Sequence, residues 1–119
     1  MKIIDSASNG ITLSVDQEEL RAIKCSLGES IEVIEPCAFK ARMGVAADEV
    51  RRLTKALTAV YRSRGRRKEI LVSNQELATI RNGLMASLDI DDWEFHPRMG
   101  FTKAQVRSVL AEVSGLVPG

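Results

Sequence analysis

Aromatic residues are scarce in this chain: one Trp, one Tyr and three Phe among 119 residues. The core must therefore be aliphatic, and few rings are left for stacking nucleic-acid bases. There is one histidine, His96, and there are two cysteines, Cys25 and Cys37. Zinc needs about four ligands, and this inventory does not supply them. Catalysis of the Ser-His-Asp or Cys-His kind would have to be built around one imidazole. Two thiols suit a reduced, structural role better than a bridge-dependent secreted fold. No apolar run approaches the ~18 residues of a membrane helix. The opening Met1-Lys2-Ile3-Ile4-Asp5 lacks a signal peptide's apolar stretch, so a cytoplasmic protein is expected. Hydrophobic residues at 45% and charged residues at 28% are the balance of one globular domain over residues 1–119, not of a disordered chain.

Charge is abundant but unevenly placed. The net charge is +1, yet residues 51–68 hold eight basic groups and no acidic one. These are Arg51, Arg52, Lys55, Arg62, Arg64, Arg66, Arg67 and Lys68. The flanking regions are net acidic. A local stripe of this kind can attract an anionic partner even though the whole chain is nearly neutral.

The chain also repeats itself. Phe39, Arg42, Met43, Gly44, Val50 and Arg51 recur 56 residues later as Phe95, Arg98, Met99, Gly100, Val106 and Arg107. Upstream the offset is 57: Val15, Glu19, Leu20, Ile23, Leu27 and Ser30 recur as Val72, Glu76, Leu77, Ile80, Leu84 and Ser87. Repeat one spans about residues 11–57 and repeat two about 69–113, with a basic connector at 64–68. Each copy starts with a short apolar strand, Ile11–Val15 or Glu69–Val72. Capping boxes follow at Asp16/Glu19 and Ser73/Glu76, and a third stands at Thr102/Gln105. Leu20, Ile23 and Leu27, and likewise Leu77, Ile80 and Leu84, form buried helical stripes. Leu53, Leu57, Val106 and Leu110 complete the expected core. Ala38–Ala41 and Trp93–His96 read as extended pieces before a second helix in each copy. Lys2–Ile4 adds a strand, joined to the next by a Ser8-Asn9-Gly10 hairpin turn. The expected fold is therefore α+β: an internally duplicated strand-helix-strand-helix unit, with four helices on a small, mostly antiparallel sheet.

Two surfaces compete for function. Asp89, Asp91, Asp92 and Glu94 surround Trp93, an aromatic anchor ringed by carboxylates that suits a basic protein partner. Glu29, Glu32 and Glu35 occupy the matching region of copy one. The spacing is not that of a calcium loop, and no metal or cofactor is expected. The bland alternative is an acidic turn with Trp93 packed inward. The basic stripe is the competing surface and would suit an acidic partner or phosphates. It lacks a convincing groove-entering helix and stacking aromatics, so no DNA or RNA partner is expected, and a nucleic-acid-binding or regulatory role for residues 51–68 is the alternative reading. The repeated Arg-Met-Gly motif reads as a structural corner, with Arg paired to a Glu of a neighbouring helix and Gly meeting a backbone need.

In copy two, Glu76-Leu77, Ile80-Arg81-Asn82-Gly83-Leu84, Ile90-Asp91, Trp93-Glu94-Phe95, Arg98, Gly100, Gln105-Val106 and Val109-Leu110 form a pattern. It resembles that of small bacterial proteins, some similar to the immunity proteins encoded beside contact-dependent or Rhs-type toxins. The resemblance covers about residues 70–113, and residues 11–57 more loosely. It implies a non-enzymatic cytosolic binder that blocks a toxin domain; whether the chain is a monomer or a homodimer stays open. It assigns no functional residue.

Overall fold

A computed structural model describes residues 1–118. Its elements follow the capping signals closely. Strands β1 (Lys2–Ala7) and β2 (Gly10–Asp16) form a hairpin that leads into helix α1 (Gln17–Val33). After a 3-10 turn at Pro36–Ala38 come α2 (Phe39–Met43) and α3 (Ala47–Tyr61). Strand β3 (Arg67–Val72) precedes α4 (Asn74–Ser87), α5 (Asp92–Met99) and α6 (Lys103–Leu116). The result is α+β, with six helices packed on a three-stranded antiparallel sheet of order β1-β2-β3.

The helix count differs from the four expected, for a local reason. Ala38–Ala41 and Trp93–His96 are not extended; they lie within the turn into α2 and within α2 and α5. Five and eight residues are too few to display a 3.6-residue period. Pro97 lies inside α5, a residue type that disfavours helix interiors. Both short helices stop at a glycine in the left-handed region, Gly44 at φ 82° and Gly100 at φ 74°. That conformation strains a residue with a Cβ, so the Arg-Met-Gly motif is a helix stop.

The long helices begin where the capping boxes lie. The Asp16 carboxylate accepts from Glu19 N–H, and the Ser73 hydroxyl accepts from Glu76 N–H. Thr102 does the same for Gln105. Each third residue returns the bond to the backbone N–H of the capping residue. At α3, Ala46 supplies no side-chain cap, and Asp48 and Glu49 favour the helix start through its dipole.

In the sheet, Ile11 pairs with Val72, Leu13 with Ile70, and Val15 with Lys68. These alternate residues face the helices and are buried, while Thr12, Ser14, Glu69 and Leu71 lie on the other face. Nine of the ten expected core residues are buried; Leu110 is half-buried against the same cluster. Phe39 and Phe95 are both buried, as are Met43 and Met99. The innermost pair of helices is α1 and α4. Gly83 of α4 sits so close to α1 that a Cβ there would lie 3.0 Å from Leu27 Cδ2. No helix among the described residues is long and apolar enough to cross a membrane.

Leu77 is fully buried on α4. Leu77→Ala is expected to cost about 2–5 kcal/mol in a two-state denaturant melt, because close-packed neighbours cannot fill the void. A loss below about 1 kcal/mol would contradict the assignment of this helix face.

Candidate functional site

The acidic segment runs from the end of α4 into the first turn of α5. The Asp91 carbonyl accepts from Glu94 N–H at 3.0 Å and from Phe95 N–H at 2.9 Å, which starts the helix. Phe95 and Met99 then turn into the core and fix the rotation of α5. Trp93 is thereby turned outward and is 78% exposed, the most exposed large hydrophobic side chain in the described residues. It is not packed inward, and it stands between the exposed Asp91 and Asp92 and the half-buried Glu94.

The rim is built differently from an open ring of carboxylates. Asp89 binds Arg42 at 2.8 Å, and Asp92 binds Lys103 at 2.7 Å. Glu94 binds Arg98 at 3.3 Å, and Arg98 also pairs with Glu29. Among the described residues, Asp91 alone of the four carboxylates is in no ion pair. Lys103 also donates to the Leu88 carbonyl at 3.0 Å and lies 5.6 Å from the Phe95 ring centre. The Lys103 ammonium, bonded to Asp92, holds that carboxyl below the ordinary aspartate value. Bonding to Glu29 secures the charge of the Arg98 guanidinium. Exposed ion pairs of this kind are screened by water and add little stability. Their main consequence is geometric, since they tie α5 to α1 and α6, and the turn before α5 to α2.

The sequence reading located the carboxylates but not their partners. Arg42 and Arg98 were visible as a repeated corner, and the Arg98–Glu29 pair joins that corner to a neighbouring helix. Lys103 gave no signal, because its reach across to Asp92 depends on how α5 packs on α6. Glu29 is engaged by Arg98, while Glu32 and Glu35 remain exposed.

The basic surface is also changed. Lys68 does not belong to it and is 3% exposed. Its place on β3 puts it on the same face as Ile70 and Val72, so strand alternation sends it inward. Its ammonium donates to the Ser63 carbonyl and hydroxyl just past α3. Arg51 pairs with Asp48 and Arg52 with Glu49, each at 2.9 Å. Arg67 donates to the Ser14 hydroxyl at 3.2 Å. Lys55, Arg62, Arg64 and Arg66 are exposed and enter no ion pair among the described residues.

His96 lies exposed on α5, beside a groove of about 290 Å³ lined by Asp92, Phe95, Thr102, Lys103 and Arg107. Cys25 and Cys37 are free thiols. No group of three or more His, Cys, Asp or Glu side chains among the described residues is placed to hold a metal ion. No protein-family model matches the chain, and neither the curated proteins nor the solved structures contain a match to it.

Lys103→Ala is expected to move the Asp92 titration upward, toward an ordinary aspartate value, as followed by side-chain carboxyl NMR. Asp92 has a lowered folded pKa, so its contribution to stability is present above the unfolded value and is lost as pH falls through the folded one. An unchanged Asp92 midpoint in the variant would mean the Lys103 pair does not form in solution.

Proposed function

We propose that this is a non-enzymatic cytoplasmic protein-binding protein that docks its partner on Trp93. The resemblance to immunity proteins makes a bacterial toxin domain the partner of choice. The observation that carries this reading is Trp93 itself, 78% exposed on a helix pinned by the Arg98–Glu29 pair to α1 and by the Asp92–Lys103 pair to α6. Large aromatic rings are enriched among residues that dominate binding energy. An anchor already held in place loses little freedom on docking, which lowers the cost of association. Asp91, unpaired beside the ring, supplies a negative charge for a basic partner. The carboxylates bound to Arg42, Lys103 and Arg98 act chiefly by fixing the platform.

The platform is read as two copies of one unit, residues 11–57 and 69–113. Several pairs of features support this. Asp16 and Ser73 close equivalent capping boxes, and Gly44 and Gly100 stop equivalent short helices. Two surface grooves are lined by matching positions: Val45, Glu49 and Gln75 in one, and Phe101, Gln105 and Glu18 in the other. Duplication explains why a chain with so few aromatics keeps Phe39 and Phe95 at the same corner. It also places Trp93 in only one copy, where Cys37 holds the matching position in the other.

The test takes the product of an adjacent gene as the candidate toxin partner. Trp93→Ala is expected to weaken its binding by at least about 30-fold, the loss of a dominant anchor. Asp91→Lys should weaken it further by slowing association, whereas Arg51→Glu should leave it unchanged. A Trp93→Ala protein that keeps its helical circular dichroism and binds within twofold of the parent would refute the docking site.

A further inference from the structure

We propose that the exposed cations following the middle of α3 bind a nucleic-acid phosphate backbone without reading its bases. Which charges are already matched decides this, not how many there are. The two arginines nearest the start of α3 have partners, Asp48 and Glu49, one turn away. Further along, Lys55 and Arg62 are seven residues apart and so share one helix face. Arg62 and Arg64 then follow at the end of the helix, with neither in an ion pair among the described residues. Arg66 is exposed too, sharing a shallow depression with Asp16 and Glu18, so its charge is partly opposed. Beneath this loop lies the ammonium of Lys68, buried and facing only the neutral oxygens of Ser63. It adds positive potential from below and ties the end of α3 to β3, which holds the loop in shape.

The acidic face is the opposite case, since three of its four carboxylates are paired internally. Within the basic segment, the exposed cations in no ion pair among the described residues are therefore grouped at Lys55, Arg62 and Arg64, with Arg66 beside them. Planar guanidinium groups donate to two phosphate oxygens at a time, which suits a phosphodiester chain. The single Tyr nearby, Tyr61, is half-buried, with the Lys24 ammonium 5.0 Å from its ring centre, so no ring is offered for base stacking. Sequence-independent backbone binding is what remains.

The probe is a fluorescent 12-nucleotide oligo-thymidine titrated with the full chain. Anisotropy should show binding at about 50 mM salt that is largely lost by about 200 mM. Three to four phosphates neutralised on a single strand give a log-log salt slope of about −2 to −3. Neutralising Arg62 and Arg64 together to Gln should shorten the slope by about 1.4. Neutralising the internally paired Arg51 and Arg52 in the same way should change it far less. Trp93→Ala should have no effect, which separates this surface from the protein-docking site. Three results would overturn the proposal: no salt-dependent binding, equal losses from the two arginine pairs, or displacement of the oligonucleotide by decaglutamate as readily as by unlabelled oligonucleotide. The last would show that the loop prefers an acidic polypeptide.

Discussion

The close approach of α1 and α4 is the constraint on which the remaining structure depends. Gly83 has no side chain, and the space a Cβ would need is occupied by Leu27. Ser26 and Ser87, also buried, bring their hydroxyls to 3.4 Å across the same interface. Small residues let the two backbones come near enough for Leu20, Leu27, Leu77 and Leu84 to be fully enclosed. Each of those helices grows directly from a strand of the β2–β3 pair, so the helix crossing and the strand register constrain each other. The short helices then fill what is left. Phe39 and Met43 of α2, and Phe95 and Met99 of α5, insert into the core and leave their opposite faces in solvent. The exposed position of Trp93 follows from Phe95, two residues along a helix, pointing inward.

Charge is organised on this frame by pairing more than by sign. Basic groups from three different elements meet the acidic segment: Arg42 from α2, Arg98 within α5 and Lys103 at the start of α6. Among the described residues, the basic segment forms ion pairs only at its beginning, within α3 itself. A map of formal charges along the chain therefore exaggerates the acidic surface. It overstates the basic one too, since Arg51 and Arg52 are paired and Lys68 is buried. The two faces would serve different partners, one reached through an apolar ring and a lone carboxylate, the other through free guanidinium groups.

Much of the fold was legible in the sequence because its signals are local. Asp16/Glu19, Ser73/Glu76 and Thr102/Gln105 mark helix starts through bonds made within four residues. The leucine and isoleucine spacing in α1 and α4 is long enough to show its period. α2 and α5 were not legible, because their helical form is settled by the packing of two residues each and by a glycine stop. Lys68 was misplaced because a run of like charges hides the alternation of the strand it enters. The partners of Asp92 and Asp89 lie 11 and 47 residues away in sequence, and only the packed fold brings them together. The acidic segment was thus found as a place, but its state of charge was not.

Trp93 is the only tryptophan, so its fluorescence reports on one side chain alone. The central claim is that an outward-facing ring on a pinned helix is the anchor for a protein partner. Acrylamide quenching of the free protein, followed by quenching in the presence of the candidate partner, tests it most directly. The account predicts strong quenching with water-like emission in the free protein, then a blue shift and protection on binding. Blue-shifted, poorly quenched emission in the free protein, or an unchanged spectrum in a complex shown to form, would contradict it.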